Sequence, residues 1–229
     1  LGLPPNEPLR FHAGQYLDIV LDQDLRRSYS IANAPAADGV RQIQLHLRHM
    51  RGGIFTDRAF STLKPREMLR IEAPLGQFFL DGKSDKPVIL LASGTGFAPI
   101  KAMVEQSITQ NSSRPMHIYW GGRKRTDLYL NELAGQWARD HAHIRYTPVL
   151  SNATTECDWQ GRDGFVHRAV MQDYPSLENH QVYACGAPVM IDAARRDFIA
   201  DRQLPEREFH ADAFVSEADK AIPPANTKD

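Results

Sequence analysis

Cysteine is scarce: the 229 residues hold two, Cys157 and Cys185. Two thiols cannot build a disulfide framework, a four-cysteine zinc site or a four-cysteine iron–sulfur cluster. Positive charge is not in excess either. Lys and Arg number 27 against 28 Asp and Glu, a formal net charge of −1. That leaves no surplus to neutralise a phosphate backbone, so no nucleic-acid partner is expected. Long apolar runs are missing. The longest, Val88 to Ala92, falls far short of the ~20 residues of a membrane helix, and no membrane partner is expected. No basic-then-apolar leader opens the chain, which makes a cytoplasmic, reducing location the default expectation. Gly-x-Ser-x-Gly and His-Glu-x-x-His are absent, which removes the usual support for a hydrolase. The nine histidines are scattered. His141 with His143, and His46 with His49, lack a third ligand nearby, so they read as surface or packing residues and no metal is expected.

What is present divides the chain in two. Hydrophobic residues make up 42% and charged residues 24%, the balance of an ordinary folded protein. The first half reads as short strands separated by Gly and Pro: Gln15–Leu21, Arg27–Ala32, Arg41–His49 and Met68–Glu72, with one short helix over Ile54–Leu63. In the third of these, Ile43, Leu45 and Leu47 alternate with Gln44, His46 and Arg48, the period of a half-buried strand. Short strands with such turns suggest an antiparallel β-barrel. The second half changes period. Pro87–Ala92 and Met116–Trp120 are continuous apolar runs, as in strands buried on both faces, and further strands fall at Ile144–Leu150 and Gln181–Cys185. Helical stretches run over Pro99–Thr109, Asp127–Arg139 and Pro188–Asp201. Strand–helix alternation predicts an α/β domain around a parallel sheet. The expected fold is therefore two domains: an antiparallel β-barrel at 1–84, an α/β parallel-sheet domain at 85–215, and a polar C-terminal tail at 216–229.

Three segments carry candidate chemistry. Val88–Ser93 runs into Gly94-Thr95-Gly96 and then Phe97-Ala98-Pro99, a strand, a glycine turn and a helix start. Such a turn lets backbone approach a pyrophosphate beside the positive end of the helix dipole; a plain tight turn is the competing reading. The acidic residue that normally follows about 20 residues on is missing. In its place stands Gly121-Gly122-Arg123-Lys124-Arg125, either a contact for the 2′-phosphate of NADPH or a solvated basic loop. Arg27-Ser28-Tyr29-Ser30 puts a guanidinium and a flat ring on one face of a strand, suited to a planar phosphorylated ligand or to a cross-strand pair. Arg48 to Thr56 places Gly52 and Gly53 before a helix, where Thr56 either caps the helix or touches a phosphate. Cys185 closes a buried strand at the ligand edge of the sheet; a small buried hydrophobe is the plainer reading. Phe209 to Phe214 reads as an edge strand or a lid.

Together these segments resemble the ferredoxin–NADP⁺ reductase superfamily, over Phe11 to Val215 and in the family's order. Arg27-Ser28-Tyr29-Ser30 matches its Arg-x-Tyr-Ser flavin motif. The resemblance implies that Tyr29 stacks on the isoalloxazine, Ser30 bonds its N5 edge and Arg27 holds the FAD pyrophosphate. Arg48, Gly52, Gly53 and Thr56 match its second FAD phosphate segment, and Ala73-Pro74-Leu75-Gly76-Gln77-Phe78 is similar to its Gly-Pro-x-Gly-x-Phe with alanine first. Gly94, Thr95, Gly96 and Pro99 match its nicotinamide-dinucleotide pyrophosphate loop, and Gly122 and Arg123 its adenosine-side loop. Cys185-Gly186-Ala187-Pro188-Val189-Met190 resembles its Cys-Gly-Pro-x-x-Met, which implies Cys185 near the nicotinamide C4 and Gly186 beside it. Phe214 is expected to cover the flavin. Ser30 and Cys185 are the catalytic candidates, orienting the rings.

By that resemblance the cofactors are FAD and NAD(P)H. Hydride would pass from nicotinamide to FAD, then single electrons to a 2Fe-2S ferredoxin domain or protein, from a monomer. Arg26 to Pro35 and Asp212 to Val215 point to the branch of CDP-6-deoxy-Δ3,4-glucoseen reductases of deoxysugar biosynthesis, with oxygenase systems as a second setting. The alternative is the branch of NAD(P)H:flavin reductases, which use free flavin as substrate and also end in Asp-Ala-Phe; a non-catalytic nucleotide-binding module is a further one. Leu1-Gly2-Leu3 reads as the end of a strand, so the chain is expected to start inside a domain; the resemblance implies that a 2Fe-2S domain and a first barrel strand, where a parent protein has them, would precede Leu1.

Overall fold

The computed structural model describes residues 1–22, 25–154 and 158–214; Cys157, Val215 and the tail 216–229 lie outside the described residues. In the first part β1 (Tyr16–Val20), β2 (Arg26–Ser30) and β3 (Arg70–Leu75) form an antiparallel sheet in the order β2-β1-β3. Tyr16 lies opposite Ser30 and Leu17 opposite Tyr29. Isolated bridges join Gly2 to Gln42, Leu9 to Val40 and Ile31 to Leu45. Phe11, Leu17, Ile19, Ile31, Ile43 and Phe55 make the core. Helix α1 (Ile54–Ser61) closes one side.

The expected strand at Arg41–His49 is not a regular strand. Its alternation holds, since Ile43 is buried between exposed neighbours. Its backbone bonds, however, are divided among partners: Arg41 and Ile43 pair with Leu3 and Leu1, while the Gln44 carbonyl accepts from Ala32. A segment shared this way makes bridges but no ladder.

The second part is a six-stranded parallel sheet, β4 (Val88–Ser93), β5 (Met116–Gly122), β6 (Ile144–Leu150), β7 (Arg162–Asp163), β8 (Gln181–Gly186) and β9 (Phe209–Ala213), in the order β7-β6-β5-β4-β8-β9. Helices α2 (Phe97–Thr109) and α3 (Asn131–Asp140) supply Phe97, Ile100, Met103 and Trp137 to the core on one face. Helices α4 (Val166–Asp173) and α5 (Pro188–Arg202) supply Val166, Val170, Ile191 and Phe198 on the other. The chain runs outward from β4 to β7, then crosses to β8 on the far side of β4. The reversal between β4 and β8 opens a crevice at their carboxyl ends, where ligands bind in such sheets.

Two helix starts differ from expectation for local reasons. Helix α2 begins at Phe97, with Pro99 inside its first turn, where a missing N–H costs nothing. Helix α3 begins at Asn131 instead of Asp127, because the Asp127 carboxylate accepts from the Arg123 and Lys124 amides and holds a separate 3₁₀ turn. Strand β7 and helix α4 were not foreseen; a two-residue strand is too short to show a period. The segment at Phe209 is an edge strand, parallel to β8.

Candidate active site

At the crevice two backbones cross. A Cβ on Gly96 would lie 2.2 Å from the Cys185 carbonyl oxygen, and one on Gly186 would lie 2.2 Å from Ser93 Oγ. Only glycine permits either approach, and Gly186 also sits at φ +133. Ser93 Oγ accepts from the Ala187 amide at 2.9 Å, and Trp120 Nε1 donates to the Gly94 carbonyl at 3.0 Å. The turn Gly94–Gly96 is thus anchored from below. Above it, nothing lies within 4 Å of where a Gly94 Cβ would stand, and α2 has no side-chain cap. Gly94 therefore faces open space at the start of the turn, beside helix amides that favour an anion, while Gly96 and Pro99 are buried beneath it.

The carboxyl ends of the next strands continue the row. Gly122 pairs with Leu150, and Leu150 with Asp163. Val166 packs so closely on Gly121 that a Cβ there would meet it at 2.9 Å. Arg123 is exposed just beyond Gly122, and Phe165, which precedes Val166, is 67% exposed. Sequence reasoning missed Phe165. Its only signal is a large aromatic beside Gly164 in a turn.

Cys185 is fully buried, with Sγ 3.9 Å from Asp212 Oδ2. Burial, then the Asp212 carboxylate, pushes its thiol well up, and burial also raises Asp212. Cys185 is therefore a neutral thiol at physiological pH, suited to contact and unsuited to nucleophilic attack. Phe214 packs against the same core, its amide donating to the Gly186 carbonyl at 2.8 Å. Tyr129 stands edge-on to Trp120, at 5.0 Å between ring centres.

On the β side, Tyr29 is half-buried against Phe55, at 5.5 Å between ring centres. Arg27 shares its face; Ser28 Oγ is taken by Asp18 at 2.6 Å. Ser30 Oγ is buried and has no hydrogen-bond partner among the described residues. Arg48 is exposed, and the space over Gly52 is open. Gly53 caps α1, and Thr56 does not: its hydroxyl donates to the Met50 carbonyl at 2.9 Å and shapes the loop. The Asp57 carboxylate takes the Gly52 amide at 2.9 Å.

Residues 1–80 match the oxidoreductase FAD-binding domain, and residues 90–196 match the oxidoreductase NAD-binding domain. The chain is 46% identical over 215 residues to the CDP-6-deoxy-L-threo-D-glycero-4-hexulose-3-dehydrase reductase of Yersinia pestis, covering 94% of this chain and 63% of that protein. It is 32% identical to the NAD(P)H-flavin reductase of Vibrio harveyi, over 93% of this chain and 90% of that one. The chain belongs to the FAD- and NAD-binding oxidoreductases of ferredoxin reductase-like fold. Among solved structures, the Amycolatopsis cytochrome P450 reductase GcoB superposes with a TM-score of 0.82 at 34% identity, over 91% of this chain and 62% of that chain. The chain thus spans 63% of the length of the Yersinia reductase it matches.

The residues of this oxidoreductase fit both cofactors. A buried hydroxyl without a partner is costly, and Ser30 Oγ is one, on the strand that carries Tyr29 and Arg27. The turn over Gly94 is open where a pyrophosphate would lie. The two groups of site residues are held against each other by Lys101, which donates to the Ala32 carbonyl at 3.1 Å, and by His46 with the Tyr129 hydroxyl at 2.7 Å. Among the described residues no helix is long and apolar enough to cross a membrane.

Proposed function

We propose that the chain is the flavin and nicotinamide part of a reductase that takes hydride from NAD(P)H and passes electrons singly to an iron–sulfur partner. One observation carries the reading: the Ser30 hydroxyl, buried without a partner among the described residues, ends β2, and two residues on the Ala32 carbonyl accepts from Lys101 of the helix that follows the Gly94–Gly96 turn. When bound, FAD supplies the switch from two-electron to one-electron chemistry, which no side chain can provide. Ser30 Oγ donates to the flavin ring edge. Tyr29 stacks on the ring, and Arg27 with the Arg48–Thr56 loop holds the FAD phosphates. Amides at Gly94, Thr95 and Gly96 hold the dinucleotide pyrophosphate, and Arg123 holds the adenosine ribose or its phosphate. Phe165 is the platform for the adenine. Cys185 and Gly186 would orient the nicotinamide, and Phe214, held by its amide on the Gly186 carbonyl, would cover the flavin ring.

Residues 1–84 act as the flavin unit and 85–215 as the nicotinamide unit, a division supported by the change of strand pairing after Leu80. The bridges at Gly2, Leu9 and Ile31 support a barrel-like closure around the β2-β1-β3 sheet. The electron acceptor is a 2Fe-2S domain or protein, in keeping with relatives named as the reductase of a hexulose dehydrase and the reductase component of terephthalate dioxygenase. Deoxysugar biosynthesis is the favoured setting. The second reading, a reductase of free flavin, is favoured by the Vibrio harveyi relative, 90% of which aligns.

The test is the visible spectrum of the purified chain under anaerobic NADPH and then NADH. A resident flavin band that bleaches supports the main reading. A colourless chain that turns over added FMN or riboflavin with saturation kinetics supports the second. A chain that neither holds flavin nor oxidises NAD(P)H in its presence overturns both.

A further inference from the structure

Lys101 is the unusual side chain of the interface between the two parts. It is 6% exposed, one turn into α2. An ammonium taken out of water costs several kcal/mol unless it is fully satisfied. Here it is: Nζ lies 3.1 Å from the Ala32 carbonyl, 3.1 Å from Gln44 Oε1 and 2.7 Å from Glu105 Oε1. An ammonium has three N–H donors, and each has its acceptor. Glu105 is on the same helix. Ala32 and Gln44 belong to the flavin side, 69 and 57 residues away in sequence.

The placement of these acceptors matters more than their number. Ala32 stands two residues beyond Ser30, about 7 Å along an extended chain. Lys101 stands four residues beyond Phe97, where α2 leaves the Gly94–Gly96 turn, about 6 Å along a helix. One side chain therefore joins the strand that presents the flavin serine to the helix that carries the pyrophosphate turn, both within a short rigid reach. The Ala32 amide donates to the Gln44 carbonyl at 2.8 Å, and the Gln44 amide to Asn33 Oδ1 at 2.8 Å, so both flavin-side acceptors form one braced unit. His46, two residues on, adds its contact with Tyr129 beside the crevice.

We propose that Lys101 is a positioning residue for hydride transfer: its ammonium fixes Ala32 and Gln44 against α2 and so sets the approach of nicotinamide to flavin. The inference rests on the function proposed above. It requires that loss of the ammonium slow the transfer without weakening either cofactor's own binding, because small errors in approach cost rate steeply.

The experiment compares Lys101→Met with the unsubstituted chain, both loaded with FAD. Rapid anaerobic mixing with NADH or NADPH gives the limiting rate of flavin reduction and the dissociation constant of the nucleotide. The expected result is a limiting rate lowered at least tenfold, with both dissociation constants within threefold. The long-wavelength absorbance of the reduced flavin–nicotinamide complex, which reports ring stacking, should weaken. Lys101→Arg should restore part of the rate. A second arm is independent of turnover: amide exchange over residues 28–46 in the flavin-free protein should quicken in Lys101→Met. Should that variant not fold, Gln44→Ala removes one exposed-side acceptor and should lower the limiting rate about threefold. An unchanged rate and unchanged exchange in whichever variant folds overturns the inference. Failure of the unsubstituted chain to reduce its flavin overturns the parent reading instead, and the exchange arm still decides whether Lys101 clamps the two parts.

Discussion

Gly96 and Cys185 meet backbone to backbone: a side chain on Gly96 would begin 2.2 Å from the Cys185 carbonyl oxygen. The Gly94–Gly96 turn and the carboxyl end of β8 are therefore one packed feature. Gly96→Ala should force the two apart, since backbone has nowhere to retreat. We expect at least a tenfold rise in the dissociation constant for NAD(P)H, with FAD content unchanged because the flavin residues lie on other elements. Titration of the flavin-loaded protein with nucleotide checks it, and unchanged nucleotide affinity would show that the crossing does not shape the site.

Ser30→Ala separates catalysis from stability. The hydroxyl is buried without a partner among the described residues, so its removal leaves no group newly unsatisfied. Stability of the flavin-free protein should stay the same or rise by about 1 kcal/mol. The rate of flavin reduction should fall tenfold or more. A lower melting temperature with an unaltered rate would assign the hydroxyl to the fold.

Arg123→Ala and Phe165→Ala should act differently on the same ligand. Loss of the guanidinium should raise KM for NADPH about tenfold and leave NADH nearly unaffected, since only NADPH carries the 2′-phosphate. Loss of the exposed ring at Phe165 should raise KM for both nucleotides by a similar factor. Steady-state kinetics with ferricyanide as acceptor reads both. Equal effects of Arg123→Ala on the two nucleotides would remove the phosphate contact.

Acid should weaken the fold through its buried histidines. His117 bonds Tyr174 at 3.0 Å and Thr147 at 2.8 Å, and burial, then Arg145, lowers its pKa to about 3. Burial, then Lys101, lowers His46 to about 4. Unfolded, each would titrate near 6.5. Below that value the unfolded chain binds more protons than the folded one, so stability falls as pH drops from about 6.5 towards 3–4. Each histidine contributes a slope of up to about 1.4 kcal/mol per pH unit. Urea midpoints between pH 7 and pH 4 measure it, and His117→Gln should flatten the profile.

The ordered motifs were legible because each is local: Gly94-Thr95-Gly96 needs only its own strand and helix, and Arg27-Ser28-Tyr29-Ser30 only its own strand. Reading strands from the sequence succeeded where one segment pairs along its whole length, as over Ile144–Leu150. It failed at Arg41–His49, where the side chains alternate but the hydrogen bonds go to different partners. It failed again at Asp127, whose carboxylate turns back to two amides and delays α3.

The sequence by itself determined the two-part organisation and the strand, glycine turn and helix at Val88–Thr109, because those depend on neighbours along the chain. Only the tertiary structure decided that Gly96 lies on Cys185, that Val166 packs on Gly121 and that Lys101 reaches Ala32. Such contacts join residues tens of positions apart, and no local period encodes them. They come from which strands pair and which helix face packs inward, and those choices are made by the whole core at once.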